Sequence, residues 1–167
     1  MTPSTGLSYV THHTLAASAS RCEEDALIQR AISVLEHRLF TDTPALTTLE
    51  AARDYLRVQL VQEPNELFAA VFLNTQHQVI ACETLCNGTI DSAAVYPRVV
   101  VQKALAYNAA ALIVAHQHPS GCTDPSQADR VLTERLKSAL ALVDIRMLDH
   151  FIIGKGEPYS FANAGLL

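Results

Sequence analysis

The chain has 167 residues, 49% of them apolar and 17% charged, with 12 Lys and Arg against 17 Asp and Glu for a formal net charge of −5. That size and composition suit one globular domain with a substantial core, burying roughly two-thirds of its unfolded surface. The absence of any Lys or Arg run argues against autonomous nucleic-acid binding, which draws on a basic stripe to displace counterions, and no apolar run reaches the ~20 residues of a membrane span.

Residues 1–20, rich in Ser, Thr and Ala, read as a poorly ordered tail. They lack the basic stretch followed by an apolar stretch that marks a secretory leader. Residues 21–63 read as a helical segment. Ser20-x-x-Glu23 is a capping box for a helix to about Leu39, with Leu27, Ile28, Ile32, Leu35 and Leu39 as its apolar positions. A turn around Thr41 to Pro44 precedes a second box, Thr47-x-x-Glu50, whose helix runs to about Gln62 and stops at Glu63-Pro64-Asn65.

Residues 64–167 alternate between strand and helix. Leu67 to Leu73 is a short apolar run, broken at Asn74 to His77 and resumed over Gln78 to Cys82, which predicts a hairpin. Asn87-Gly88 marks a turn, and Pro97 opens a helix because proline suits the first helical turn. Ala111 to Ala115 predicts a fully buried strand. A helix from Ser126 to about Leu142 follows, then a strand from Ile145 to Ile153, and Tyr159 to Phe161 as an edge strand. The predicted class is α/β in the mixed α+β sense.

Four cysteines (Cys22, Cys82, Cys86 and Cys122) are too few and too unevenly spaced for a disulfide framework, so a reducing cytoplasmic setting is expected. Cys82 and Cys86 read as small sheet residues. Cys122 falls in a turn, as an oxidisable thiol.

The chemistry concentrates in HQHPSGCTDPSQAD, residues 116–129. Two imidazoles, a hydroxyl and a carboxylate stand in an H-x-H-x7-S-x-x-D pattern. His116 and His118 alternate at the end of a strand and so project to one face. Pro119-Ser120-Gly121 and Pro125 turn the chain back, returning Asp129 on the first turn of the next helix. Three protein ligands would leave zinc a fourth position for water. Ser126 could then donate to a tetrahedral oxyanion, while a carboxylate from elsewhere takes the water proton. Ser126 and Asp129 also spell a plain helix cap, a role compatible with ligation. HExxH is absent, as are the H-x-E and P-C-x-x-C elements of the zinc deaminases.

This motif, with ELFAAVFLNTQHQVI, ETLCNGTID, VYPRVVVQKAL, NAAALIVAHQHPSG and IRMLDHFIIG, resembles the RadC-like branch of the JAMM (MPN+, JAB domain) metalloproteases over about residues 64–167. The resemblance implies a JAB/MPN-like curved mixed sheet flanked by helices, with cytidine-deaminase-like layering and zinc at the sheet's edge. It implies one Zn2+ per chain on His116, His118 and Asp129, with Ser126 as oxyanion donor. For the catalytic base it favours Glu66, at the start of the first strand, with Glu83 as the alternative. The branch usually reads HNHPSG where Gln117 stands here, and PREVV where Val99 replaces the Glu. Gln117 is expected to point away from the metal with mild effect.

The implied activity is zinc-dependent hydrolysis of a peptide or isopeptide amide in a protein or peptide substrate. A non-catalytic zinc-containing interaction module and an accessory role in DNA repair or recombination are the alternatives. His150, beside Asp149, reads either as a carboxylate–histidine support for the metal site or as a core histidine. His12, His13, His37 and His77 read as surface residues. The motifs specify neither substrate nor oligomeric state.

Overall fold

The computed structural model describes residues 10–40, 49–61, 63, 65–88 and 95–167. Two helices, α1 (Val10–Phe40) and α2 (Leu49–Leu60), precede a hairpin of β1 (Leu67–Leu73) and β2 (Val79–Asn87). Helix α3 (Pro97–Ala106), strand β3 (Ala111–Gln117), helix α4 (Gln127–Ala141) and strands β4 (Arg146–Ile153) and β5 (Tyr159–Ser160) follow. The five strands form one open sheet in the order β2-β1-β3-β4-β5. All neighbours pair antiparallel except β3 and β4, which are parallel through the α4 crossover.

Period-2 alternation sends β1 and β3 side chains to two different cores. Ala69, Val71, Leu73, Ala111, Ile113 and Ala115 pack against Ala52, Tyr55, Leu56 and Leu60 of α2. Phe68, Ala70, Phe72, Leu112 and Val114 pack against Val100 and Ala104 of α3 and Leu136 and Leu140 of α4. Every residue of β3 is buried, which is why its sequence is an unbroken apolar run up to His116. Ser126 caps α4 through its side chain, and Pro97 stands in the first turn of α3.

The strands fall close to their predicted places, with two differences. β2 continues past Cys82 to Asn87, so Glu83 lies inside a strand that keeps pairing with β1. α1 begins at Val10, so part of the expected tail is helical and the Ser20 box lies in the helix interior. No Gly or Pro interrupts Val10 to Phe40, and Ala, Leu and Arg there are strong helix formers. The turn and cap expected over 41–47 lie outside the described residues. No helix among the described residues is long and apolar enough to cross a membrane.

Candidate metal centre

The central strand ends in His116-Gln117, with His118 the next residue, and the carboxyl end of a β-strand in an open sheet is where the backbone opens a crevice for ligands. His116 and His118 stand at the carboxyl end of a buried strand, as the sequence predicts, and that strand is the middle one of the sheet, paired on both sides. His118 is anchored just beyond it by its N–H, which donates to the Ile153 carbonyl at 2.9 Å.

The chain then turns sharply. Gly121 adopts φ +82°, its N–H donates to the His118 carbonyl at 2.8 Å, and its own carbonyl accepts from Lys155 at 2.8 Å. A Cβ at Gly154 would lie 2.5 Å from the Gly121 oxygen, so the loop rests directly on the end of β4 and only glycine permits that approach. The loop delivers Ser126 to the start of α4. Its hydroxyl accepts from the Asp129 N–H at 3.2 Å and donates to Asp129 Oδ2 at 2.6 Å, while the Ser126 N–H donates to the same oxygen at 2.7 Å. The cap fixes the carboxylate it shares.

His116, His118 and Asp129 each offer a donor atom within 4.8 Å of the others. His116 Nε2 lies 3.1 Å from Asp129 Oδ1 and 3.0 Å from His118 Nε2, and His118 Nε2 lies 3.4 Å from Asp129 Oδ2. Burial works to raise the Asp129 carboxyl, but its contacts with His116, His118 and Ser126 outweigh it and hold the group far below the carboxylate range. Asp129 raises the His118 imidazole against the opposing effect of burial, with smaller contributions from the Cys122 carbonyl and the Glu66 charge. His118 Nδ1 meets the Cys122 carbonyl at 2.8 Å, so Nδ1 carries a proton and Nε2 is the nitrogen turned to the cluster, where the neutral ring presents a lone pair.

Glu66 is half-buried at the mouth of β1. Phe68 pairs with His116 in the antiparallel ladder, and continuing that count outward brings Glu66 level with His118. Glu83 is elsewhere. It lies on β2 with its carboxylate on Lys103 Nζ at 2.8 Å and on the Tyr107 hydroxyl, both from the α3 side. Those two donors hold it below its ordinary pKa.

Three residues make further bonds around the cluster, and of these only Thr133 carries no signal in the sequence. Gln117 points away from His116, as expected, but it is buried and ties down the approach to β1. Its Oε1 accepts from the Leu67 N–H at 2.8 Å, and its Nε2 donates to the Asn65 carbonyl and, at 3.4 Å, to the Glu63 carbonyl. These bonds bracket Glu66. His150 and Thr133 are the other two: His150 Nε2 lies 2.9 Å from His116 Nδ1, and His150 Nδ1 lies 2.7 Å from Thr133 Oγ1. Complete burial, followed by the charge of His116, drives the His150 pKa well below the usual imidazole value. Asp149 does not support the His150 ring. It accepts from the backbone N–H groups of His150 and Ala162 and from the Ser160 hydroxyl, tying β4 to the C-terminal segment.

The sequence matches the RadC-like JAB domain family over residues 46–166. It is 55% identical over 147 residues to a UPF0758 protein of Ectopseudomonas mendocina (strain ymp), covering 88% of this chain and 65% of that one. It is 56% identical over 140 residues to a UPF0758 protein of Stutzerimonas stutzeri (strain A1501), covering 84% and 62% respectively. For a UPF0758 protein of Azotobacter vinelandii (strain DJ / ATCC BAA-1303) the values are 55% over 142 residues, 85% and 63%. The chain thus spans a little under two-thirds of the length of these relatives, whose names state no activity.

Proposed function

The chain belongs to the RadC-like JAB domain family, and on that premise we propose that it is a zinc-dependent hydrolase of peptide or isopeptide amides, with one zinc ion per chain on His116, His118 and Asp129. One observation carries the reading: two imidazole nitrogens and a carboxylate oxygen converge within 4.8 Å at the end of the central strand. The donor set fits the ion. Zinc favours nitrogen and carboxylate donors, and three protein ligands are the usual complement of a catalytic rather than structural site. The His118 tautomer also turns a lone pair inward.

Zinc held there would supply Lewis acidity and lower the pKa of water to near neutrality. The chain's own residues supply the rest of the proposed mechanism. Glu66 takes the proton from the attacking water and returns it to the leaving amine. Its backbone is held by Gln117 on one side and by the Gly88 N–H, which donates to the Glu66 carbonyl at 2.8 Å. Ser126 turns its hydroxyl from Asp129 toward the developing oxyanion while its backbone cap persists. Glu83 has no part, since Lys103 and Tyr107 occupy its carboxylate.

The test is zinc content by elemental analysis after brief exposure to stoichiometric zinc, followed by a screen of peptide and isopeptide substrates with the Glu66→Gln variant as control. Stoichiometric zinc with hydrolysis that Glu66→Gln abolishes is the expected result. Zinc without hydrolysis would favour the non-catalytic module, and folded protein that retains no zinc would overturn the metal reading.

A further inference from the structure

Beneath the three clustered residues, two polar side chains are sealed inside an otherwise apolar layer. His150 is fully enclosed and Thr133 nearly so. A polar group in such a place is costly unless each of its hydrogen-bonding atoms is matched. Here the matching fixes where every proton must be.

The Asp129 backbone carbonyl lies 2.6 Å from Thr133 Oγ1. Two oxygens at that separation need a proton between them, and only the threonine has one to give. With its single proton spent on Asp129, Thr133 can only accept from His150 Nδ1, 2.7 Å away, so that nitrogen is protonated. The two His150 nitrogens meet a hydroxyl and another imidazole, neither of them an anion, and the nearest carboxylate, Asp129, is engaged by Ser126, His116 and His118 instead, so the enclosed ring is neutral. His150 Nε2 is therefore bare and accepts from His116 Nδ1 at 2.9 Å. With its proton on Nδ1, the neutral His116 ring turns a bare Nε2 toward Asp129 and His118.

We propose that Thr133 and His150 form a relay of positioning residues that sets the His116 tautomer, leaving its Nε2 lone pair free for a metal ion. The proposal rests on the zinc reading above for the identity of the ion, and on the hydrogen-bond order for the relay itself. The rings are also locked against rotation. His150 stacks on Phe161 at 4.9 Å with a 13° interplanar angle and meets Phe68 edge-on at 5.8 Å. Phe68 in turn stacks on His116 at 6.3 Å. The relay starts on the carbonyl of Asp129, so one residue supplies both a carboxylate to the cluster and the acceptor that orders the protons behind it. Partners of this kind typically tune metal affinity about 10–100-fold.

The experiment combines zinc affinity, by competition with a chromophoric chelator, with long-range 1H–15N spectra of the histidine rings in the full chain. Thr133→Val should weaken zinc binding about 10–100-fold, while Thr133→Ser, which keeps the hydroxyl, should bind like the parent. In the parent, with or without zinc, His150 should be protonated at Nδ1 and bare at Nε2, and Thr133→Val should lose that preference. A parent that binds zinc no more tightly than Thr133→Val, or a His150 ring protonated at Nε2, would overturn the relay. A parent that takes up no zinc while His150 shows the expected tautomer would overturn the metal reading instead and leave the proton order standing.

Discussion

At the carboxyl end of β3, buried Asp129 meets buried His116 and half-buried His118. Out on β2, on the same face of the sheet, Glu83 meets Lys103 and Tyr107 at the protein surface. Both are carboxylates held below their ordinary pKa by neighbouring groups. They differ in what lies behind those groups. Lys103 is a mobile, exposed ammonium whose attraction is screened by water and ions. The two histidines sit on a rigid central strand, and each has its second nitrogen committed to an acceptor below or beside it. A carboxylate with flexible partners contributes a surface ion pair. A carboxylate with rigid, lone-pair-bearing partners converges on a space where a cation is needed.

The largest effect that would sharpen this contrast is loss of the ion itself. His118→Ala and Asp129→Ala should each take zinc content from stoichiometric to near none by elemental analysis, since two remaining ligands make a poor zinc site. Equal zinc in the parent and both variants would place the metal elsewhere. The next effect separates binding from turnover. Glu66→Gln should keep its zinc and lose about 10^2–10^4-fold in kcat, the usual contribution of a positioned acid–base group. A fully active Glu66→Gln would remove that residue from the mechanism.

The same contrast explains what the sequence made legible. Strand β3 and the capping box at Ser126 were readable because each rests on short-range rules: a buried strand is an apolar run, and a helix start needs an acceptor. The triad of His116, His118 and Asp129 followed from strand alternation plus one turn. Thr133 was not legible, and His150 was legible as a support for the metal site, through Asp149, but not as the partner of Thr133. The β3–β4 register slips by one residue between Leu112 and Ile113, so Met147 faces the α4 side, Leu148 the α2 side, and His150 again the α4 side. Strict alternation from Met147 would have put His150 on the opposite face, and no local signal announces a slip. Gln117 points away from the cluster as its place in the strand predicts, and the bonds it makes there were not legible. A polar residue on the other face of a buried strand must find partners, and the chain entering β1 supplies them.

Gln117 therefore gives a third, intermediate test. Gln117→Ala strips partners from the Leu67 N–H and the Asn65 and Glu63 carbonyls. It should cost about 1–3 kcal/mol of stability in denaturant unfolding, the range for buried polar groups left unmatched. Zinc content should hold, because His116 and His118 keep their own anchors, while kcat falls as Glu66 loses its fixed backbone. Unchanged stability would mean that water replaces the amide. Gln117→Asn, the usual residue of the family branch but one methylene shorter, should recover part of the loss.

The smallest effect belongs to the surface cluster. Glu83 is held below its ordinary pKa of 4.5 first by Lys103 and then by Tyr107. A depressed carboxyl binds fewer protons folded than unfolded, so its stabilisation is present above 4.5 and is lost as pH falls below that value. Glu83→Gln should remove that share of the acid dependence and nothing else. At neutral pH its unfolding midpoint should approach the parent's as salt rises, because added ions screen the exposed pair in the parent and leave the variant little to lose. Zinc content and kcat should match the parent at every salt concentration. A Glu83→Gln protein that kept its zinc but lost turnover would reverse the contrast, since a carboxylate engaged by a mobile lysine would then be acting on the reacting water and Glu66 would be the bystander.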